Sequence, residues 1–98
     1  MNLSENAANY LINMALDIAD NGEPELAEGA QEVLDAYNLT AEAFQPLWRP
    51  SAYATAFLWD FVLSGRDFVR IADRASEEVT ELSAILAEVS EQLKPLRH

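Results

Sequence analysis

Hydrophobic residues recur along much of the chain at intervals of three and four, which is the period of one face of an α-helix. A first helix is predicted over residues 4–20, with Ser4 as its N-cap, and a second over residues 24–37, after a break at Asn21-Gly22. The first helix carries an apolar face formed by Leu11, Met14, Ala15 and Ile18. The second carries another, formed by Leu26, Ala30, Val33, Leu34 and Tyr37. Both helices are therefore expected to be amphipathic and to pack on a common core.

The second half of the chain contains the most apolar predicted helix and the longest one. Residues 51–64 are apolar on most sides, which predicts a central helix with neighbours on several faces. Gly65 is expected to end this helix, and a long C-terminal helix is expected over residues 66–94. A short helical turn is predicted near 41–48, between the two halves. These elements predict an all-α fold: a compact bundle of four main helices that forms a single domain over residues 1–98.

The last predicted helix would be about 40 Å long, whereas helices of about 14 residues reach only about 20 Å. Its far half is therefore expected to extend past its neighbours in the chain. Apolar residues continue there at coiled-coil-like spacing and form a predicted self-association seam: Leu82, Ile85, Leu86, Val89 and Leu93. The alternative is that the first helix or the chain ends cover this seam, and the pattern leaves a homodimer and a monomer open.

Gly29 stands inside the second predicted helix, where glycine costs roughly 1 kcal/mol relative to alanine. A glycine in such a place indicates either the close approach of another backbone or simple tolerance of the residue. Close packing is the interpretation that we favour.

Composition excludes several classes of site and location. The chain has no cysteine, which rules out disulfides, thiolate metal sites and thiol catalysis, and is compatible with a cytoplasmic location. The N-terminal sequence lacks the basic region and the apolar run of a signal peptide. The most apolar stretch, residues 52–63, is shorter than the roughly 20 residues that a membrane-spanning helix needs, and Asp60 interrupts it. We therefore interpret it as a core helix.

Charge is distributed unevenly along the chain, which has a formal net charge of −11. Residues 1–48 contain nine acidic residues and no base, whereas residues 49–98 contain eight acidic residues and all six bases, so that the halves carry −9 and −2. Direct binding of nucleic acid or of an anionic membrane needs a basic surface. The sequence therefore predicts neither partner and favours a basic protein surface.

Some acidic residues have a local explanation, because carboxylates in a first helical turn interact favourably with the helix dipole. Asp17, Asp20 and Asp35 fall in the last turns of the predicted helices, where the dipole disfavours them. They are either part of a solvated face, which could also meet the row of Arg66, Arg70 and Arg74, or part of a recognition surface. In the second case the predicted partner-binding residues are Asp17, Asp20, Glu25, Glu28, Glu32, Asp35 and Trp48. For Trp48, capping of the core is the alternative role.

Residues that could support catalysis or metal binding are scarce. The single histidine is His98, at the end of the chain, so that nucleophile–base pairs and histidine–carboxylate metal motifs cannot be assembled. We predict no catalytic site, no metal and no cofactor.

The predicted function is that of a non-enzymatic acidic module. The first hypothesis is an inhibitor or immunity-type protein, of the style found in phages and mobile elements, that masks a basic surface of a larger target, for example one that binds nucleic acid. Carboxylates roughly 4.5–6 Å apart along a helix would let it mimic nucleic acid. The alternative is a structural or scaffolding module that homodimerises through its long C-terminal helix.

Overall fold

The computed structural model describes the backbone of residues 3–42, 50–71 and 77–94, and the side chains of 3–38, 50–70 and 80–94. The helices in these segments are α1 (Glu5–Asn21), α2 (Pro24–Glu42), α3 (Ala52–Ile71) and α4 (Glu77–Leu93). Each helix packs against the next along the chain, and α4 also contacts α1. The predicted all-α fold and its bundle of four main helices are confirmed.

The hydrophobic core draws on all four helices and is centred on α3. This helix supplies the bulky side chains of Phe57, Leu58 and Val62, which are fully buried. It lies between α2 and α4 and contacts both. The prediction of a central third helix therefore agrees with its position, because a helix with neighbours on two sides needs a wide apolar surface.

Two predicted helix ends are wrong. α2 continues past Tyr37 to Glu42, so that the first two residues of the predicted turn near 41–48 belong to α2; the rest of that turn lies outside the described residues. α3 passes through Gly65 and ends at Ile71. A single glycine within a helix costs only about 1 kcal/mol, which the packing of α3 against its neighbours can offset.

The prediction of one long helix over residues 66–94 is also wrong. α4 begins at Glu77 and packs against the second half of α3, where the Arg66 Nη2 atom lies 3.5 Å from Ser90 Oγ and donates to it. In one continuous helix these two residues would be separated by about 36 Å. α3 and α4 are therefore packed side by side, and each covers an apolar face of the other.

The close packing predicted at Gly29 is confirmed. A Cβ atom added to this residue would lie 2.2 Å from the Tyr53 carbonyl oxygen and 3.0 Å from the Ala54 nitrogen. The obstructing atoms belong to the backbone of α3, which cannot rotate away. The absence of a side chain at Gly29 therefore allows the backbones of α2 and α3 to come into contact.

The N-terminus of α1 is closed by its predicted cap and by a second helix. The Ser4 hydroxyl accepts a hydrogen bond from the Ala7 backbone N–H, at 3.3 Å. The Glu88 carboxylate of α4 accepts from both the Ser4 backbone N–H and the Ser4 hydroxyl, with an Oγ to Oε2 distance of 2.8 Å. Ser4 thus caps its own helix and connects α1 to α4.

The N-terminus of α3 is closed in the same way. Ser51 accepts a hydrogen bond from the Ala54 backbone N–H at 3.3 Å. Its own backbone N–H donates to the Glu32 carboxylate of α2 at 2.8 Å, and its hydroxyl donates to the other oxygen of that carboxylate. Ser51 and Glu32 therefore join α3 to α2, in the same way that Ser4 and Glu88 join α1 to α4.

Removal of Glu88, the glutamate that contacts Ser4, gives a stability prediction. Glu88→Ala is expected to lower the free energy of unfolding by about 1 kcal/mol, because the Ser4 N–H loses a charged acceptor. Urea unfolding measures the loss, and amide hydrogen exchange should place it in the first turn of α1. Glu81→Ala, which removes an exposed glutamate two turns earlier, is the control and should cost less than about 0.5 kcal/mol. Equal losses for the two variants would contradict this role of Glu88.

Candidate protein-binding surface

Three of the predicted contact residues form an exposed row on α2. Glu25, Glu28 and Asp35 lie within roughly 80° of one another around the helix, on the side opposite the buried Ala30 and Val33. All three side chains are exposed, and Asp35 accepts a hydrogen bond from Gln31 Nε2 at 3.0 Å. We call Glu25, Glu28 and Asp35 the α2 acidic face.

Contrary to the prediction from the sequence, Asp35 does not lie in a last helical turn. Because α2 extends to Glu42, Asp35 lies in the interior of the helix and not in its last turn. The helix dipole acts mainly on the terminal turns, so that it imposes little cost on Asp35. Asp17 and Asp20 remain near the C-terminal end of α1, where both are exposed and where Asn21 Nδ2 donates to Asp17 Oδ1 at 3.4 Å.

Glu32 has a role within the fold that the sequence did not reveal. Around the helix it lies between Glu25 and Glu28, but it is half-buried and accepts two hydrogen bonds from Ser51. Its carboxylate is therefore occupied at the N-terminus of α3. This contact with a neighbouring helix gives Glu32 a structural role, whether or not it also contacts a partner.

The described bases lie on α3 and directly after α4, and they have partners within the chain. Arg70 pairs with Asp67 at 3.2 Å, and Lys94 pairs with Glu91 at 2.9 Å, each over a spacing of three residues. Arg66 donates to a serine of α4, and Arg74 lies outside the described side chains. Across the side chains that the structure describes, no acid of α1 or α2 forms an ion pair with a base. The described arginines thus do not neutralise the α2 acidic face.

The predicted self-association seam is located in the core of the single chain. Its residues are at most 9% exposed: Leu82, Ile85, Leu86, Val89 and Leu93. The prediction assumed that the last helix extends beyond its neighbours, and this assumption is wrong because α4 packs against α3 and α1. These side chains are not available at the surface of the folded monomer. Trp48, the remaining predicted contact residue, lies outside the described residues.

A groove that the sequence reasoning missed opens beside the acidic residues of α1. It has a volume of about 300 Å³ and is lined by α1, α3 and α4. Phe61, which is 3% exposed, lies in the groove, and Tyr10 and Phe68 line it with exposures of 38% and 53%. Met14 and Leu82 complete its apolar lining. We call this feature the apolar groove.

A sequence signal for the apolar groove exists but is weak. Tyr10 lies one turn before Met14, and Phe68 lies two turns after Phe61, so that each pair continues an apolar face at helical spacing. Such residues are usually read as an extension of the core. Only the packing of the helices shows that these two aromatic side chains stay exposed.

A second groove, of about 430 Å³, runs between α3 and α4 and has a more polar lining. Its bases are Arg66 and Lys94, which are engaged by Ser90 and Glu91 respectively. These contacts explain its polar residues as local pairs. Each charged side chain of its lining thus has a contact within the chain.

Neither a metal site nor a membrane span emerges from the described part of the chain. Among the described residues, no three histidine or acidic side chains are grouped so that they could hold a metal ion. No helix in those segments has both the length and the apolar character required to cross a bilayer. Comparison of the chain with models of known protein families, with curated proteins and with solved structures finds no match.

Proposed function

We propose that this protein is a non-enzymatic binding module that masks a basic surface of a larger protein, as an inhibitor or immunity-type protein does. The observation that carries the proposal is the α2 acidic face, whose exposed carboxylates have no basic partner among the described side chains. Exposed, unpaired charges of one sign create a field that attracts a surface of the opposite sign and speeds association with it.

The same charge distribution defines which partners fit. The phosphates of nucleic acid and the headgroups of an anionic membrane would be repelled by a chain of net charge −11. A protein surface rich in lysine and arginine is attracted instead. Proteins that bind nucleic acid present such a surface, so that an acidic helix face competing for it would mimic the phosphate backbone.

Reversal of charge on the α2 acidic face tests the proposal. The triple variant Glu25→Lys, Glu28→Lys and Asp35→Lys is expected to lose capture of the target from a lysate of the native host, because repulsion replaces attraction. Capture by the wild-type protein should fall steeply as the salt concentration rises through the physiological range, where the Debye length is about 8 Å. Quantitative mass spectrometry of the captured proteins measures both effects.

A control variant with the same change in net charge separates this surface from overall electrostatics. Glu5→Lys, Asp67→Lys and Glu91→Lys place the reversals on α1, α3 and α4, at positions that are also exposed. This control should keep most of the capture. If both triple variants lose capture equally, binding depends only on the net charge of the protein. If neither loses it, the α2 acidic face is not the binding surface.

A further inference from the structure

The apolar groove is lined by α1, α3 and α4, and its lining includes Gly65, over which Leu86 of α4 packs. Contact between α2 and α3 is backbone to backbone, at Gly29. Contact between α1 and α4 includes the hydrogen bonds from Ser4 to Glu88, and farther along these helices the groove lies beside Tyr10 and Leu82. The buried Phe61 of α3 lies in the same groove. The exposed aromatic side chains of the groove are therefore accessible from outside the bundle.

Acidic residues flank this opening on both helices. Asp17 follows Tyr10 and Met14 at the i, i+4, i+7 spacing and is therefore on the edge of α1 that lines the groove. Glu81 precedes Glu88 by two turns, and since Glu88 reaches across to α1, Glu81 is on the edge of α4 that faces α1. Both carboxylates are exposed.

Among the described side chains, the bases near the groove in sequence have other partners, and Arg66 of α3 donates to Ser90. α1 contains no lysine or arginine, and Lys94, which directly follows α4, is 12 residues beyond Leu82 and pairs with Glu91. Arg70 of α3 pairs with Asp67. The opening is thus an apolar surface with a negative border, which is complementary to an apolar side chain that has positive neighbours.

Charge also decides among the possible occupants. A second copy of this chain would bring another net charge of −11 to the same surface, and an anionic lipid would be repelled in the same way. An amphipathic protein helix with lysine or arginine beside its apolar stripe has the required chemistry, and such helices bind by inserting their apolar residues into a groove.

We propose that the apolar groove receives an aromatic or aliphatic side chain from a basic amphipathic helix of the partner protein, with Asp17 and Glu81 pairing with its bases. This inference rests on the proposed function and adds a specific anchor to it. The α2 acidic face attracts the partner over a distance, and the groove selects partners that carry an apolar residue among their bases.

Two synthetic peptides test the inference directly. Both are lysine-rich, labelled and about five helical turns long; one carries a stripe of leucine with one tryptophan, and the other has serine at the same positions. Fluorescence anisotropy at physiological salt should show that the wild-type protein binds the first peptide at least about 10-fold more tightly, because only its apolar stripe can fill the groove. Equal affinity for the two peptides overturns the inference.

Paired surface variants locate the binding site. Phe68→Ser should remove most of the preference for the apolar peptide, whereas Leu63→Ser should leave it intact, although both side chains are 53% exposed on the same helix. Tyr10→Ser provides a second test on α1, and circular dichroism checks that each variant is folded. Loss of the preference in Leu63→Ser but not in Phe68→Ser or Tyr10→Ser would place the site elsewhere and overturn the inference.

The rim and the oligomeric state give two further outcomes. Asp17→Asn combined with Glu81→Gln should weaken binding of the apolar peptide and reduce its dependence on salt. An unchanged salt dependence would remove the rim from the inference. If sedimentation shows a wild-type dimer that Phe68→Ser dissociates, a second copy occupies the groove and the inference is wrong.

Failure here is distinguishable from failure of the proposed function. The triple reversal on the α2 acidic face leaves every lining residue of the groove in place. If that variant loses its target while the wild-type protein does not discriminate between the peptides, the proposed function stands and the groove does not bind the partner. If discrimination is seen but the triple reversal has no effect, the groove binds and the α2 acidic face does not.

Discussion

Gly29→Ala is expected to destabilise the protein by about 2–3 kcal/mol. The added Cβ atom would lie 2.2 Å from the Tyr53 carbonyl oxygen and 2.6 Å from its carbonyl carbon, so that α2 and α3 must move apart. Overpacking a tight interface costs roughly 1–3 kcal/mol, occasionally more, and a rigid backbone obstacle puts this site at the upper end. The gain in helix propensity from glycine to alanine, about 1 kcal/mol, offsets only part of that cost.

Thermal and urea unfolding measure this effect, and a second glycine is its matched control. For a domain of this size the expected loss lowers Tm by roughly 10–20 °C. In Gly65→Ala the nearest obstacle, at 2.3 Å, is the end of the Leu86 side chain, which can change rotamer. That variant should lose less than about 1 kcal/mol. If the two alanine variants have the same stability, backbone contact at Gly29 does not constrain the bundle.

The features that local chemistry determines could be predicted from the sequence. The all-α class follows from apolar residues at helical spacing, and Ser4 was identified as an N-cap because its hydroxyl suits the free N–H groups of a first turn. The close approach at Gly29 was predictable for a similar reason, since a glycine that costs helix stability in an amphipathic segment usually compensates by packing. Each of these predictions needed only a few neighbouring residues.

The end of α3 and the start of α4 could not be predicted from neighbouring residues in this way. The local pattern at Gly65 predicts a helix end, whereas in the fold the side chain of Leu86 packs against this glycine. Because the last helix is then predicted to begin at residue 66 and not at Glu77, it becomes too long for its neighbours. Its apolar residues are left without a predicted contact within the chain. The predicted self-association seam was therefore a consequence of the misplaced boundary. Its apolar character was identified correctly, and in the fold these side chains pack in the core with residues of α3 and α1.

The negative charge of the candidate surface could be predicted from the sequence, but the contacts of its residues with other helices could not. The exposure of Glu25, Glu28 and Asp35 follows from their position opposite an apolar stripe. The role of Glu32 as a cap for α3 depends on Ser51, which is distant in sequence, and no local pattern predicts such a contact. The apolar groove likewise depends on how α1, α3 and α4 are spaced. Tertiary packing determines both.

Leu86→Ala is expected to lower the free energy of unfolding by about 2–5 kcal/mol. The side chain is 5% exposed and packs over Gly65, so that its removal leaves a cavity that two helical backbones cannot readily close. Leu63→Ala makes the same chemical change at a side chain that is 53% exposed, and it should cost less than about 1 kcal/mol.

The dependence of the Leu86→Ala result on protein concentration separates a core residue from a residue at a dimer interface. If Leu86 stabilises the monomer, the wild-type protein and the variant should each have a Tm that does not change over a 100-fold dilution, about the range that exposes a concentration-dependent dimer. Calorimetry at several concentrations measures this. A wild-type Tm that falls on dilution, combined with a dilution-independent Tm in the variant, would return Leu86 to a self-association interface and contradict its place in the core of one chain.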